Sequence, residues 1–169
     1  MPQESDTAVM QTIPADELAS VSASALAGIR VLIVDDEADT RDLLSTVLAQ
    51  YSAETKIAAS ADAALETLEQ WLPHVLITDI AMPGEDGYDL IRRVRALTKD
   101  RGGQLPAIAV TAHARAEDRA RTLAAGYQTH IAKPVEPSQL AAIVARLAGR
   151  KAGQAAFMNL KADKGSARP

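Results

Sequence analysis

Short apolar runs alternate with segments of helical periodicity between residues 29 and 149. The sequence predicts five strands, at 29–34, 55–59, 75–78, just after Pro106 and at 129–132. The first is apolar enough to be fully buried, and the second has only a weak pattern. Between the strands, aliphatic residues recur every three or four positions, which is typical of amphipathic helices. The predicted helices span 39–51, 61–72, 88–97, 114–125 and 137 to about 148. Strands alternating with helices indicate an α/β fold with a parallel sheet covered on both faces.

Several helix boundaries carry recognisable residues. Ser60 suits the N-cap of the second helix, and Pro73 ends that helix. Gly126 is placed to stop the fourth helix, and Pro137 suits the first turn of the last one. These signals support the alternation of strands and helices independently of the apolar pattern.

Polar residues follow the predicted strands at the points where they end. Asp35 and Asp36 follow the first strand, Asp79 the third, Thr111 the fourth and Lys133 the fifth. Because the carboxyl ends of parallel strands share one edge of a sheet, we expect these side chains to lie together there. Three acids, a hydroxyl and an ammonium group predict a site for a divalent cation and a phosphoryl group.

The chemistry of this residue set narrows the choice of metal. Oxygen ligands without cysteine or histidine favour Mg²⁺ or Mn²⁺. A carboxylate beside such a cation can attack phosphorus, while an ammonium and a hydroxyl balance the added charge. Each residue alone has an ordinary structural explanation, such as a helix cap, a turn former or a surface lysine. Their joint occurrence at successive strand ends favours the functional interpretation.

The composition limits the number of domains and indicates the character of the two ends of the chain. At 169 residues, the chain suits one domain with two tails. Residues 1–28 contain four acidic residues and no basic one, and predict a flexible acidic extension before a domain at 29–149. Residues 150–169 contain five basic residues and one acid, and predict a flexible basic tail. We expect a cytoplasmic protein without membrane insertion or direct nucleic-acid binding, because the chain lacks a signal peptide, a membrane span and a basic domain.

Four sequence motifs resemble the receiver domain of two-component response regulators. They are the strand and acids at 31–37, the acceptor loop at 78–87, Val-Thr-Ala at 110–112 and Lys-Pro at 133–134. Their order and spacing match that family across residues 29–148. The resemblance implies a flavodoxin-like, doubly wound (βα)5 fold with a five-stranded parallel sheet in the order 2-1-3-4-5.

The resemblance also implies a metal site. Asp36 would bind Mg²⁺, or Mn²⁺, directly, and Asp35 would act through water. Asp79 and the backbone carbonyl of Ala81 would complete the protein ligands. Asp79 would also be the phosphoacceptor, taking a phosphoryl group from a histidine kinase or a histidine phosphotransfer protein. Lys133 would then pair with the phosphoryl group.

Three positions matter for switching and for the lifetime of the phosphoryl group. Thr111 would move toward that group, and His130 stands where receivers usually carry the tyrosine or phenylalanine of the switch. Ala81 stands two residues after the acceptor, where a polar side chain would orient hydrolytic water. His113, two residues after Thr111, either shapes access to the pocket or is simply solvated.

The resemblance predicts a switch that acts through protein contacts rather than a turnover enzyme. The twenty residues after 149 are too few for a built-in effector, so the output would be a contact with a downstream protein. The sequence identifies neither that protein nor the oligomeric state of this chain. The alternative is a metal-dependent phosphohydrolase with an aspartyl-phosphate intermediate. Ala81 argues against it, because such enzymes usually place a general acid there. A degenerate receiver and a flavin-binding module fit the complete set of acids, threonine and lysine less well.

Overall fold

The computed structural model describes residues 21–112 and 115–149, which form alternating strands and helices. The strands are β1 (Arg30–Val34), β2 (Glu54–Ala58), β3 (Val75–Asp79), β4 (Ala107–Thr111) and β5 (Thr129–Ala132). The helices are α1 (Ala38–Ala49), α2 (Ala61–Trp71), α3 (Gly87–Arg95), α4 (Ala116–Ala125) and α5 (Pro137–Leu147), with a short 3-10 helix at Lys99–Arg101. All strand pairs are parallel, in the order β2-β1-β3-β4-β5. The flavodoxin-like fold and its strand order are therefore confirmed.

Side chains of the central strands alternate between two apolar cores. Val31 and Ile33 of β1 belong to a core shared with α1 and α5. Leu32 and Val34 point to the opposite core, which α2 and α3 complete. A strand buried on both faces has no polar side to display, and this explains the continuous apolar runs of β1, β3 and β4.

The strand with the weakest sequence pattern is the exposed edge strand, β2. Thr55, Lys56 and Ile57 lie at least partly in solvent, and β2 pairs with β1 alone. The predicted span of 55–59 is therefore one residue late, because an edge strand lacks the apolar run that marks a buried one. The short 3-10 helix was not predicted.

The described part of the predicted acidic extension packs against the domain. Ala25 and Leu26 are fully buried in the core beside α1 and α5. The Leu26 amide donates to the carbonyl of Tyr51, and the Ser52 hydroxyl donates to the carbonyl of Ala23. Residues 21–28 thus contact the domain, although their serine- and alanine-rich composition suggested flexibility. Residues 1–20 and the basic tail at 150–169 lie outside the described residues.

Helix ends largely follow the expected capping residues. The Ser60 hydroxyl accepts from the Ala63 amide at 3.2 Å, and Gly126 follows α4 with φ +125°. The acceptor loop contains a capping box that was not predicted, in which Asp86 and Asp89 bind each other's backbone amides. Across the described residues, every helix is too short or too polar to cross a membrane.

Candidate functional site

Three carboxylates converge where β1 and β3 end. One oxygen each from Asp35, Asp36 and Asp79 can be chosen so that all three lie within 4.8 Å of one another. Asp35 is 1% exposed and Asp79 is 5% exposed, whereas Asp36 is open to solvent. β1 and β3 are adjacent in the sheet, so the sequence prediction that these acids meet at one edge is confirmed.

The two buried carboxylates are each held by a backbone amide. Asp35 Oδ1 accepts from the Glu37 amide at 2.9 Å, and Asp79 Oδ1 accepts from the Ala81 amide at 3.0 Å. The other oxygen of Asp79 accepts a charge-assisted bond from Lys133 Nζ at 3.3 Å. Asp79 therefore sits between a lysine and two further acids, with both oxygens oriented.

The surroundings of Asp35 disfavour its ionised form. Burial raises the pKa of this carboxyl, and the charges of Asp79 and Asp36 raise it further, against the opposing effects of the Glu37 amide and Lys133. Its Oδ2 atom is buried and has no hydrogen-bond partner within the described residues. An orphaned carboxylate oxygen beside two other acids fits an oxygen-bound divalent cation.

We expect Asp35→Asn to stabilise the metal-free protein. A carboxyl whose folded pKa is raised contributes full stability below its unfolded pKa, and loses it as pH rises through the folded value. At pH 7 the ionised Asp35 therefore costs stability, which the amide avoids. The free energy of unfolding at pH 7 should therefore be higher in Asp35→Asn than in wild type, measured by urea denaturation with EDTA. The gain should disappear at acid pH, and an unchanged or lower stability at pH 7 would contradict this account.

Thr111 and Lys133 are joined through the backbone at the ends of β4 and β5. Thr111 pairs in register with Ala132, and the Lys133 amide donates to the Thr111 carbonyl at 2.8 Å. The Thr111 side chain is partly exposed at the same edge as the acids. The fold thus brings Asp35, Asp36, Asp79, Thr111 and Lys133 to one edge of the sheet.

His130 is buried in β5, at 7% exposure, and lies opposite Ala109 in register. Burial lowers the pKa of its imidazole, and the positive charge of Arg119 in α4 lowers it further, partly offset by Asp118. The neutral imidazole is therefore the favoured form at neutral pH. His113 lies outside the described residues.

Sequence inspection missed Tyr127, a buried residue just after α4. Its hydroxyl lies 2.5 Å from the hydroxyl of Thr78, the residue preceding Asp79, and donates to the carbonyl of Gly87 at 2.7 Å. The available signal was Thr78 itself, a polar residue at the end of an otherwise apolar strand. Its partner, however, is 49 residues away in sequence.

Comparisons with known proteins agree with this geometry. The family described as the response regulator receiver domain matches residues 31–145. An uncharacterized 14.6 kDa protein of Leptolyngbya boryana is 48% identical over 119 residues, covering 70% of this chain and 89% of that protein. The response regulator Rre1 of Synechocystis is 34% identical, with coverage of 73% and 53%, so the chain spans about half of its length.

Solved structures show the same architecture. The chemotaxis protein CheY4 of Vibrio cholerae superposes with a TM-score of 0.66 at 26% identity, covering 72% of this chain and 99% of that one. Since the family match extends over most of the described residues, this chain belongs to the response regulator receiver domain family and to two-component signalling.

Proposed function

We propose that Asp79 accepts a phosphoryl group from a phosphohistidine of a histidine kinase or histidine phosphotransfer protein. The observation that carries this proposal is the position of its buried carboxylate, 3.3 Å from Lys133 and beside Asp35 and Asp36. Receiver domains are signalling domains, so the transfer sets a switch rather than turning over a substrate. The phosphohydrolase alternative is not favoured by the family match, nor by Ala81.

Phosphoryl transfer to Asp79 needs no reactant besides the phosphorylated donor. A carboxylate oxygen of Asp79 forms the new O–P bond while the N–P bond of the donor breaks and its electron pair returns to the imidazole nitrogen. Asp79 is oriented before the reaction by the Ala81 amide and Lys133. Lys133 can then transfer its hydrogen bond to a phosphoryl oxygen and offset the charge that the phosphoryl group brings.

Asp35, Asp36, Asp79 and the Ala81 carbonyl would hold Mg²⁺, with Asp36 as the direct carboxylate ligand and Asp35 acting through water. Bound Mg²⁺ supplies positive charge that offsets the carboxylates and the phosphoryl oxygens. The unpartnered Asp35 oxygen supports this assignment. Mn²⁺ satisfies the same oxygen preferences.

Thr111 and His130 would couple phosphorylation of Asp79 to a structural change outside the site. The Thr111 hydroxyl would donate to a phosphoryl oxygen, and His130 would repack beside α4 in place of the usual aromatic residue. Phosphorylation acts on such elements by biasing two packings. The output would be a contact with a downstream protein.

The direct test is to incubate the purified chain with acetyl phosphate, with Mg²⁺ or with EDTA. We expect one phosphoryl group by intact mass in the presence of Mg²⁺ only. Borohydride reduces an acyl phosphate of aspartate to homoserine, so peptide mass spectrometry should find homoserine at position 79. Homoserine at another aspartate, or a chain that remains unmodified, would overturn the proposal.

The phosphoryl group should be comparatively long-lived, because the Ala81 side chain cannot hold a hydrolytic water in line. Ala81→Asn adds a polar group there and should speed the decay of phosphorylated protein, by less than the roughly hundredfold of a full general base, because an amide can orient the water but cannot take its proton. Decay is followed by intact mass after removal of the donor. His113→Ala is the control: if Ala81→Asn decays no faster than wild type and His113→Ala decays much more slowly, His113 controls the lifetime instead.

A further inference from the structure

The Tyr127 hydroxyl lies at the centre of a buried chain of hydrogen bonds under the acceptor. Because the Gly87 carbonyl can only accept, the tyrosine O–H donates to it, at 2.7 Å. The Thr78 hydroxyl must then donate to the tyrosine oxygen, at 2.5 Å. Tyr127 is 3% exposed and Thr78 is fully buried, so water has little access to either bond.

The donor role of Tyr127 does not depend on ordinary changes of pH. Burial raises the pKa of its phenol well above the usual value, against a smaller opposing effect of the Thr78 hydrogen bond. The phenol is therefore protonated at neutral pH and can donate. A buried carbonyl that lost this donor would remain unsatisfied, at a substantial free-energy cost.

Both partners of Tyr127 adjoin the acceptor. Thr78 precedes Asp79 on β3. Gly87 begins α3 and lies against the same turn: its amide donates to the Ile80 carbonyl at 3.0 Å. A Cβ atom at Gly87 would come within 2.7 Å of the Asp79 carbonyl oxygen, which is too close for any side chain. The hydroxyl thus connects the chain segments immediately before and after the acceptor loop.

Tyr127 is itself fixed at its other end. Arg95 donates from Nε and Nη2 to the carbonyl of Gly126, at 3.0 and 2.7 Å. The loop after α4 is therefore anchored to α3, and the tyrosine ring extends from that anchor into the apolar core that contains Leu90 and Ile91. Because Tyr127 is held both at its backbone and at its hydroxyl, it can keep its hydrogen-bond partners in place.

We propose that Tyr127 is a positioning residue for phosphoryl transfer. Its hydroxyl holds Thr78 and Gly87 together, and this keeps the Asp79 carboxylate correctly placed relative to Asp35, Asp36 and Lys133. This role rests on the proposed function of Asp79. It is distinct from that of Thr111 and His130, because the Tyr127 hydroxyl bonds to Thr78 and Gly87 and acts through the chain on either side of the acceptor.

The test compares hydroxyl deletions with matched controls. Tyr127→Phe and Thr78→Val each remove one hydroxyl, and Thr78→Ser restores the hydroxyl at position 78. Tyr88→Phe is the control deletion. Tyr88 is also buried and follows Gly87 on α3, but its hydroxyl faces Thr122 at 3.5 Å. For each variant we would measure the maximal rate of phosphorylation by acetyl phosphate at saturating Mg²⁺, the Mg²⁺ affinity and the stability to urea.

We expect Tyr127→Phe and Thr78→Val to lower the maximal rate by about fivefold. The double variant should be little slower than either one, because both remove the same connection. Thr78→Ser and Tyr88→Phe should react at nearly the wild-type rate. Mg²⁺ affinity should also fall, because Asp79 is a proposed ligand whose position the hydroxyl fixes; saturating Mg²⁺ keeps that loss out of the maximal rate. The assay temperature is kept well below the unfolding transition of every variant, so that lost stability alone does not lower the rate.

The outcomes separate this inference from the proposed function. If wild type and all variants are phosphorylated on Asp79 at equal rates while Tyr127→Phe is less stable, the hydroxyl is only structural and the inference is wrong. Equal slowing by Tyr88→Phe, or no recovery in Thr78→Ser, would also overturn it. A wild-type chain that is not phosphorylated would overturn the proposed function, and the positioning role with it.

Discussion

Asp79→Asn is expected to abolish phosphorylation by acetyl phosphate and by any cognate phosphohistidine donor. The amide has no anionic oxygen to attack phosphorus, and it loses the charge that pairs with Lys133 at 3.3 Å. Intact mass after incubation with Mg²⁺ and the donor measures the result. A drop below detection corresponds to at least about a hundredfold loss, as expected when the nucleophile itself is removed.

The matched control for Asp79→Asn is Asp42→Asn. Asp42 is an exposed acid on α1 and therefore tests whether the donor labels accessible carboxylates in general. It should be phosphorylated as fully as wild type. If Asp79→Asn gains a phosphoryl group as fast as Asp42→Asn does, then Asp79 is not the acceptor, and the site at the ends of β1 and β3 needs another explanation.

Asp36→Ala is expected to weaken Mg²⁺ binding by about tenfold or more, and Asp35→Ala by less. A direct carboxylate ligand contributes more than one acting through water. The structure also gives the two acids different surroundings: Asp35 is buried and bound to the Glu37 amide, whereas Asp36 is open to the solvent from which a metal arrives. Titration calorimetry on both variants gives the affinities.

The control for these measurements is Asp42→Ala, which removes a charge from α1 outside the acidic cluster. It should bind Mg²⁺ nearly as wild type does, because salt screens exposed charges that make no direct contact. Unchanged Mg²⁺ affinity in Asp36→Ala would refute its assignment as a direct ligand. A larger loss in Asp35→Ala than in Asp36→Ala would reverse the two roles.

Much of the fold could be predicted from local patterns. The continuous apolar runs of β1, β3 and β4 mark strands buried on both faces, and Ser60 and Gly126 mark helix ends through local backbone chemistry. The parallel topology then placed Asp35, Asp36, Asp79, Thr111 and Lys133 on one edge. Each of these inferences depends on residues near one another in sequence, or on a rule that holds for all parallel α/β sheets.

The less certain parts of the prediction involve weak local patterns. β2 is an edge strand whose exposed residues carry no apolar run, so its boundary was placed one residue late. Leu26 and Ala25 are short apolar positions in a serine-rich segment, and only their contacts with the core show that they are buried. Sequence pattern reports the typical environment of a segment, whereas burial depends on what packs against it.

The sequence by itself determined the flavodoxin-like fold, the residues that gather at the carboxyl edge of the sheet, and the oxygen chemistry that suits a hard cation. Only the tertiary structure decided how far those residues are buried and which groups they contact. It buried Asp35 with one unpartnered oxygen, oriented Asp79 between an amide and Lys133, and set His130 beside Arg119. It also joined Tyr127 to Thr78 and Gly87. The physical reason is that desolvation, charge–charge interaction and hydrogen bonding act over a few ångströms between groups that are distant in sequence, so no local pattern records them.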